Sequence, residues 1–95
     1  MDGVDLDRAR AATAASVVRT PLIVSEELGE LAGGKVALKC ECLQRTGSFK
    51  LRGALTKIAA LGQDAGAGLV TASAGNHGRA VALAARIWGR RSALA

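Results

Sequence analysis

Tyrosine is absent from the 95 residues, and there is only one phenylalanine, one tryptophan, one proline and one histidine. So few aromatic rings leave few platforms on which single-stranded bases could stack, and a net charge of +5 does not by itself point to nucleic acid. The thirteen lysines and arginines are scattered, with only Arg90 and Arg91 adjacent, and read as a solvated basic surface. A metal site would need more ligands than His77, Cys40 and Cys42 supply, so no metal is expected. The two cysteines stand one residue apart on an expected strand, with α-carbons about 6.6 Å apart. That is near the limit for a disulfide that would close no useful loop, so they are expected as small buried hydrophobes. No apolar run approaches a membrane span, and the first residues, with Asp2, Asp5 and Asp7, hold no apolar stretch of a secretory signal. The expectation is a cytoplasmic protein without a membrane partner.

Hydrophobic residues make up 49% of the chain, but much of that is alanine, which buries little area per residue. A chain of this size builds one small domain at most, and its core is expected to be thin and its stability marginal.

The elements follow from periodicity and punctuation. Leu6, Ala9, Thr13 and Ser16 mark a weakly amphipathic helix from Asp5 to about Ser16, with Thr20-Pro21 as its stop. Ser25 caps a short helix through Leu31, which Gly33-Gly34 terminate. Val36, Leu38, Cys40 and Cys42 alternate with Ala37, Lys39 and Glu41 as a one-sided or edge strand. Ser48 can cap a helix to about Leu61, with Leu51, Leu55 and Ile58 on one face and Gly62 as the stop. Past Gly66-Ala67-Gly68, the run Leu69 to Ser73 suits a strand buried in a parallel sheet. A further helix carries Val81, Leu83, Ala84 and Ile87 and closes at Gly89. The βαβα order predicts an α/β fold with an open parallel sheet and covering helices. The tail from Arg90 to Ala95 stops about where another strand is due.

Two segments carry chemistry. Ser48-Phe49-Lys50 opens one helix, and Ser73-Ala74-Gly75-Asn76-His77-Gly78 joins a strand to the next helix. Helix N-termini present free N–H groups and a positive dipole end, which suits phosphate or carboxylate. A lysine is misplaced there: Lys50 is either solvated or converted by chemistry such as Schiff-base formation, which partial burial and nearby positive charge favour. Gly75 and Gly78 permit close backbone approach, and Asn76 offers a donor and an acceptor. His77 alone reads as a structural residue. Neither a dinucleotide fingerprint nor a Walker sequence is present.

Taken in order, Thr20-Pro21-Leu22, then Leu38 to Ala54 with Thr46-Gly47-Ser48-Phe49-Lys50-Leu51-Arg52-Gly53-Ala54 at its heart, then Ser73 to Gly78, closely resemble the threonine and serine dehydratases. These lie in the pyridoxal-phosphate superfamily of tryptophan synthase β-chains, the fold type II enzymes, and the resemblance runs from about residue 17 to Gly89. It implies that Lys50 forms the Schiff base with pyridoxal 5'-phosphate and later exchanges protons with the substrate α-carbon. Phe49 would pack on the cofactor ring and Asn76 would bond its phenolic oxygen. Ser73, Ala74, Gly75, Asn76 and His77 would cradle the carboxylate of a small amino-acid substrate. The implied reaction is β-elimination: L-threonine gives 2-oxobutanoate, as in isoleucine biosynthesis, and L-serine gives pyruvate, each with ammonia.

Family members are much longer, so residues 1–95 are expected to be an N-terminal portion of the catalytic region, inactive alone and taken from a homo-oligomeric parent. The phosphate-binding loop, the partner of the pyridine nitrogen and the apolar strand after Gly89 are expected to be missing. A non-catalytic fragment or interaction module is the rival class. Serine racemase and a hydroxyectoine-utilisation dehydratase are the rival enzymes. Racemases of this family carry a serine immediately before Gly-Asn-His as second proton carrier, and here that position is Ala74.

Overall fold

The computed structural model describes residues 4–95; residues 1–3, Asp2 among them, lie outside it. Helix α1 spans Leu6–Thr13, capped by the Asp5 carboxylate, which accepts from Arg8 N at 3.0 Å. It ends earlier than the alanine run suggests, and well before Pro21. The Thr13 hydroxyl donates to the Ala9 carbonyl at 2.9 Å, drawing on the helix's own acceptors, and the chain leaves in turns.

Strand β1, Leu22–Val24, has no counterpart in the sequence reading. It pairs antiparallel with β2, Ala37–Lys39, Ile23 lying opposite Leu38. Between them lies α2, Glu26–Ala32, with Ser25 as N-cap and Gly33 at φ +74° as left-handed C-cap, as its punctuation requires. The expected strand from Val36 to Cys42 is cut short, because Glu41–Leu43 form a 3-10 turn. Two polar side chains from this turn reach inward, Glu41 to Thr20 and Arg52, and Gln44 to the backbone of Val18. The cysteines therefore do not share a strand face: Cys40 is half-buried and Cys42 exposed, which corrects the expectation of two buried hydrophobes.

The second half is one crossover unit. Helix α3, Lys50–Leu61, ends at Gly62; β3, Leu69–Thr71, follows a 3-10 segment; α4, Asn76–Ile87, leads to β4, Ser92–Leu94. Strands β3 and β4 are parallel, Val70 opposite Ala93, so the expected parallel pairing is present. The tail does contain a strand, contrary to the expectation for residues after Gly89. The expected burial of β3 is not realised, since Val70 is 78% exposed and the pair has open edges.

The core is the seam between α3 and α4, with Leu51 and Leu55 fully buried beside Ala54 and Ile58. Opposite them stand Ala80, Ala84 and Ala85, while Val81, Leu83 and Ile87 pack at the flanks. Small residues let the helices approach closely, but among the described residues the only large side chains in the buried cluster are Leu51, Leu55 and Ile58, each worth about 1.5–3 kcal/mol, which makes a thin core. The radius of gyration, 15.7 Å, exceeds the roughly 12 Å of a compact chain of this length, because the β1–β2 ribbon stands off the helices. Polar side chains tie its base: Arg52 of α3 donates to Glu41 just after β2, and between the flanking loops Gln44 Nε2 donates to Val18 O at 2.9 Å and Val18 N to Gln44 Oε1 at 2.8 Å.

Candidate active site

Lys50 is the first residue of α3 and Asn76 the first of α4, so both sequence motifs sit at helix N-termini. The Ser48 hydroxyl accepts from Lys50 N at 3.4 Å, and the Ser73 hydroxyl accepts from Gly75 N at 3.1 Å. Arg52 N already donates to Phe49 O and Arg79 N to Gly75 O, each at 3.1 Å, so the N–H groups that helix geometry leaves without a backbone partner are those of Leu51 in α3 and of His77 and Gly78 in α4.

Because α3 and α4 pack side by side, the two starts meet. Ser48, Phe49 and Asn76 line one cleft of about 460 Å³, whose other wall is Leu38, Lys39, Cys40, Glu41 and Cys42. Phe49 is 64% exposed, a large apolar surface left open in a chain short of aromatics. Lys50, the next residue, is exposed as well. That corrects the expectation that partial burial would favour its neutral form. Ser73 and Gly75 are half-buried, and Ala74 and Asn76 exposed.

His77 does not join this cleft. It lines a separate cavity of about 260 Å³ with Lys57, Thr71 and Val81, because neighbouring residues on a helix point about 100° apart. Gly78 is also not open for a ligand: a β-carbon there would meet the Leu94 and Ser73 side chains, so its close approach is to β4. Gly75 has open space where a side chain would be.

The ion pair of Glu41 and Arg52 escaped the sequence reading. Arg52 Nε and Nη2 donate to the Glu41 carboxylate, which also accepts from the Thr20 hydroxyl. The hydrogen bond from Arg52, with help from Thr20, holds the Glu41 carboxyl at about 2 against the opposing effect of burial. In return Glu41 pushes the Arg52 guanidinium up. The sequence carried no separate signal for it, because Glu41 falls with Ala37 and Lys39 on the outward side of the alternating pattern.

Residues 14–94 match the family described as pyridoxal-phosphate dependent enzyme. The L-threonine ammonia-lyase of Thermotoga maritima is 50% identical over 86 residues, covering 90% of this chain and 21% of that protein. A serine racemase of Arabidopsis thaliana is 47% identical over 72 residues, covering 75% of this chain and 22% of that protein. Among solved structures, maize serine racemase superposes with a TM-score of 0.75 at 42% identity, over 96% of this chain and 30% of that one. The chain thus spans about a fifth to a quarter of the length of the curated relatives it matches. The residues present fit the cofactor of that family in part: Phe49 and Asn76 share the cleft, while Lys50 is exposed next to Phe49 without lining it, and Ser73, Ala74 and Gly75 are not among its lining residues either.

Proposed function

The chain belongs to the pyridoxal-phosphate dependent enzymes, and from that premise we propose that its whole protein dehydrates and deaminates L-threonine or L-serine, yielding 2-oxobutanoate or pyruvate and ammonia. The observation that carries the reading is the shared cleft, where Ser48 and Phe49 from the start of α3 meet Asn76 from the start of α4. When bound, the cofactor supplies a sink for the electron pair left at the substrate α-carbon.

The side chains divide the remaining work. Lys50 would hold the cofactor through its Nζ amine, and the same amine would take the proton from the substrate α-carbon. Phe49 and Asn76, which share the cleft, would hold the cofactor, Phe49 against its ring and Asn76 through its amide. The substrate carboxylate lies against the backbone from Ser73 to His77, where the positive end of α4 favours an anion. His77 contributes its N–H there, since its imidazole faces another cavity. Hydroxide leaves the β-carbon, and hydrolysis of the resulting enamine releases the oxo acid and ammonia.

Serine racemisation is the second reading, because the relatives include serine racemases. Ala74 argues for elimination: a methyl group cannot carry a proton at the position where racemases place a serine. The whole protein is proposed as a cytoplasmic homo-oligomer.

The test is reduction with borohydride after incubation with pyridoxal phosphate, followed by peptide mapping. Lys50 is expected to take the label well ahead of Lys35, Lys39 and Lys57. Equal labelling of all four is what incidental surface lysines would give, and would sink the assignment. A chimera joining this chain to the remaining part of the Thermotoga maritima enzyme extends the test to turnover. It should form 2-oxobutanoate from threonine, and Lys50→Ala should abolish this. An active chimera carrying Lys50→Ala would refute the reading.

A further inference from the structure

Helix α3 begins with two cations, Lys50 and Arg52, and has no acidic residue in its first turn. Positive charge is unfavourable at that end of a helix. The missing acid comes from outside the helix: Glu41, in the 3-10 turn, takes both Arg52 Nε and Nη2. The segment between Glu41 and Arg52 is a loop turned at Gly47, with φ +80°, and it carries Ser48, Phe49 and Lys50. Phe49 and Lys50 are exposed, so side-chain packing does little to fix them. Their position follows from how the loop is held, at its base by Glu41 and Arg52 and within its span by Gln44 to Val18 and Arg45 to Ser16. That base is tied further by the Thr20 hydroxyl to Glu41 and by Lys39 Nζ to Thr20 O at 2.6 Å.

We infer that Glu41, clasped by Arg52, is a positioning residue for Lys50: the pair closes the loop that sets Phe49 in the cleft and Lys50 next to it. The inference deepens the proposed function and rests on it for the purpose of Lys50. Glu41 also lines the cleft, so the clasp couples the cleft wall to the helix that bears the lysine. Cutting it leaves a charge without its partner and removes the side-chain tie between the two ends of the loop.

Amide hydrogen exchange on the 95-residue chain decides the clasp without any cofactor. In Glu41→Gln and Arg52→Met, residues 45–50 should exchange on the order of tenfold faster, the scale of losing hydrogen bonds to a charged group. Residues 80–87 of α4 should be unchanged. Arg52→Lys, which keeps the charge but not the two-pronged bond, should fall between. The ratio of Lys50 to Lys57 labelling by pyridoxal phosphate should drop in the same order, Lys57 serving as a control on the same helix. Unchanged exchange at 45–50, or equal acceleration throughout α4, overturns the clasp. If the native chain labels Lys50 no faster than Lys57, the role assigned to Lys50 fails, whereas the exchange rates still decide whether the clasp exists.

Discussion

A β-carbon on Gly78 would stand 3.0 Å from Leu94 Cδ2 and 3.3 Å from Ser73 Cβ, so the first turn of α4 is pressed against β4 and against the start of its own loop. Gly78→Val should therefore lower stability by about 1–3 kcal/mol, the cost of overpacking. Adding Leu94→Ala should recover part of the loss, because Leu94 is the nearer obstacle. Thermal or urea unfolding of the single and double variants measures this, and strictly additive losses would show that the two residues are not in contact.

Leu55 is fully buried in the core, where most of the other buried residues are alanines too small to fill a gap. Leu55→Ala should cost about 2–5 kcal/mol. That is a large part of the total for so small a chain. Leu31→Ala, on a largely exposed residue of α2, should change stability by less than about 0.5 kcal/mol. Circular dichroism during urea titration separates the two, and similar midpoints for both variants would contradict the assigned core.

Acid should loosen the Glu41 clasp. The folded carboxyl sits at about 2 against an ordinary 4.5, so its contribution is fully present above the ordinary value and is lost as pH falls from there toward 2. The stability difference between the native chain and Glu41→Gln should therefore shrink steadily over that window. A constant difference from pH 5 to pH 2 would show that the carboxylate charge has no part in it.

Ala74→Ser in the chimera with the Thermotoga maritima enzyme should add measurable interconversion of serine enantiomers, by placing a proton carrier on the second face of the cofactor. Elimination should persist. Chiral chromatography of recovered serine reads the outcome, and an unchanged enantiomer ratio would mean that another group already serves that face or that none can.

The 95-residue chain alone, given pyridoxal phosphate and threonine, is expected to release no ammonia. Both strands of the β1–β2 ribbon are exposed along their length, with apolar side chains at Leu22, Ile23 and Val24, and the β3–β4 pair has open edges. Such edges recruit other chains, so concentration-dependent association should appear in light scattering. A monomer that turns over threonine would overturn this.

The sequence by itself determined what is local. Ser25 and Gly33 bound α2, Gly62 stops α3, and Leu51, Leu55 and Ile58 recur at helical spacing, so each of these is written within a few residues of where it acts. The ordered motifs around Lys50 and Asn76 likewise marked out the family. Tertiary structure decided what depends on residues far apart in the chain. Strand β1 is only three residues long and exists through its pairing with Ala37–Lys39, which no local pattern announces. The strand expected through Cys42 gave way at Glu41, because bonds to Thr20 and Arg52 outweigh the weak propensity of one more alternating residue. Strand β4, in a tail that reads as irregular, is fixed by its register against β3. His77 and Asn76 are neighbours in the motif yet face different cavities, since a helix starting at Asn76 rotates each successive side chain about its axis.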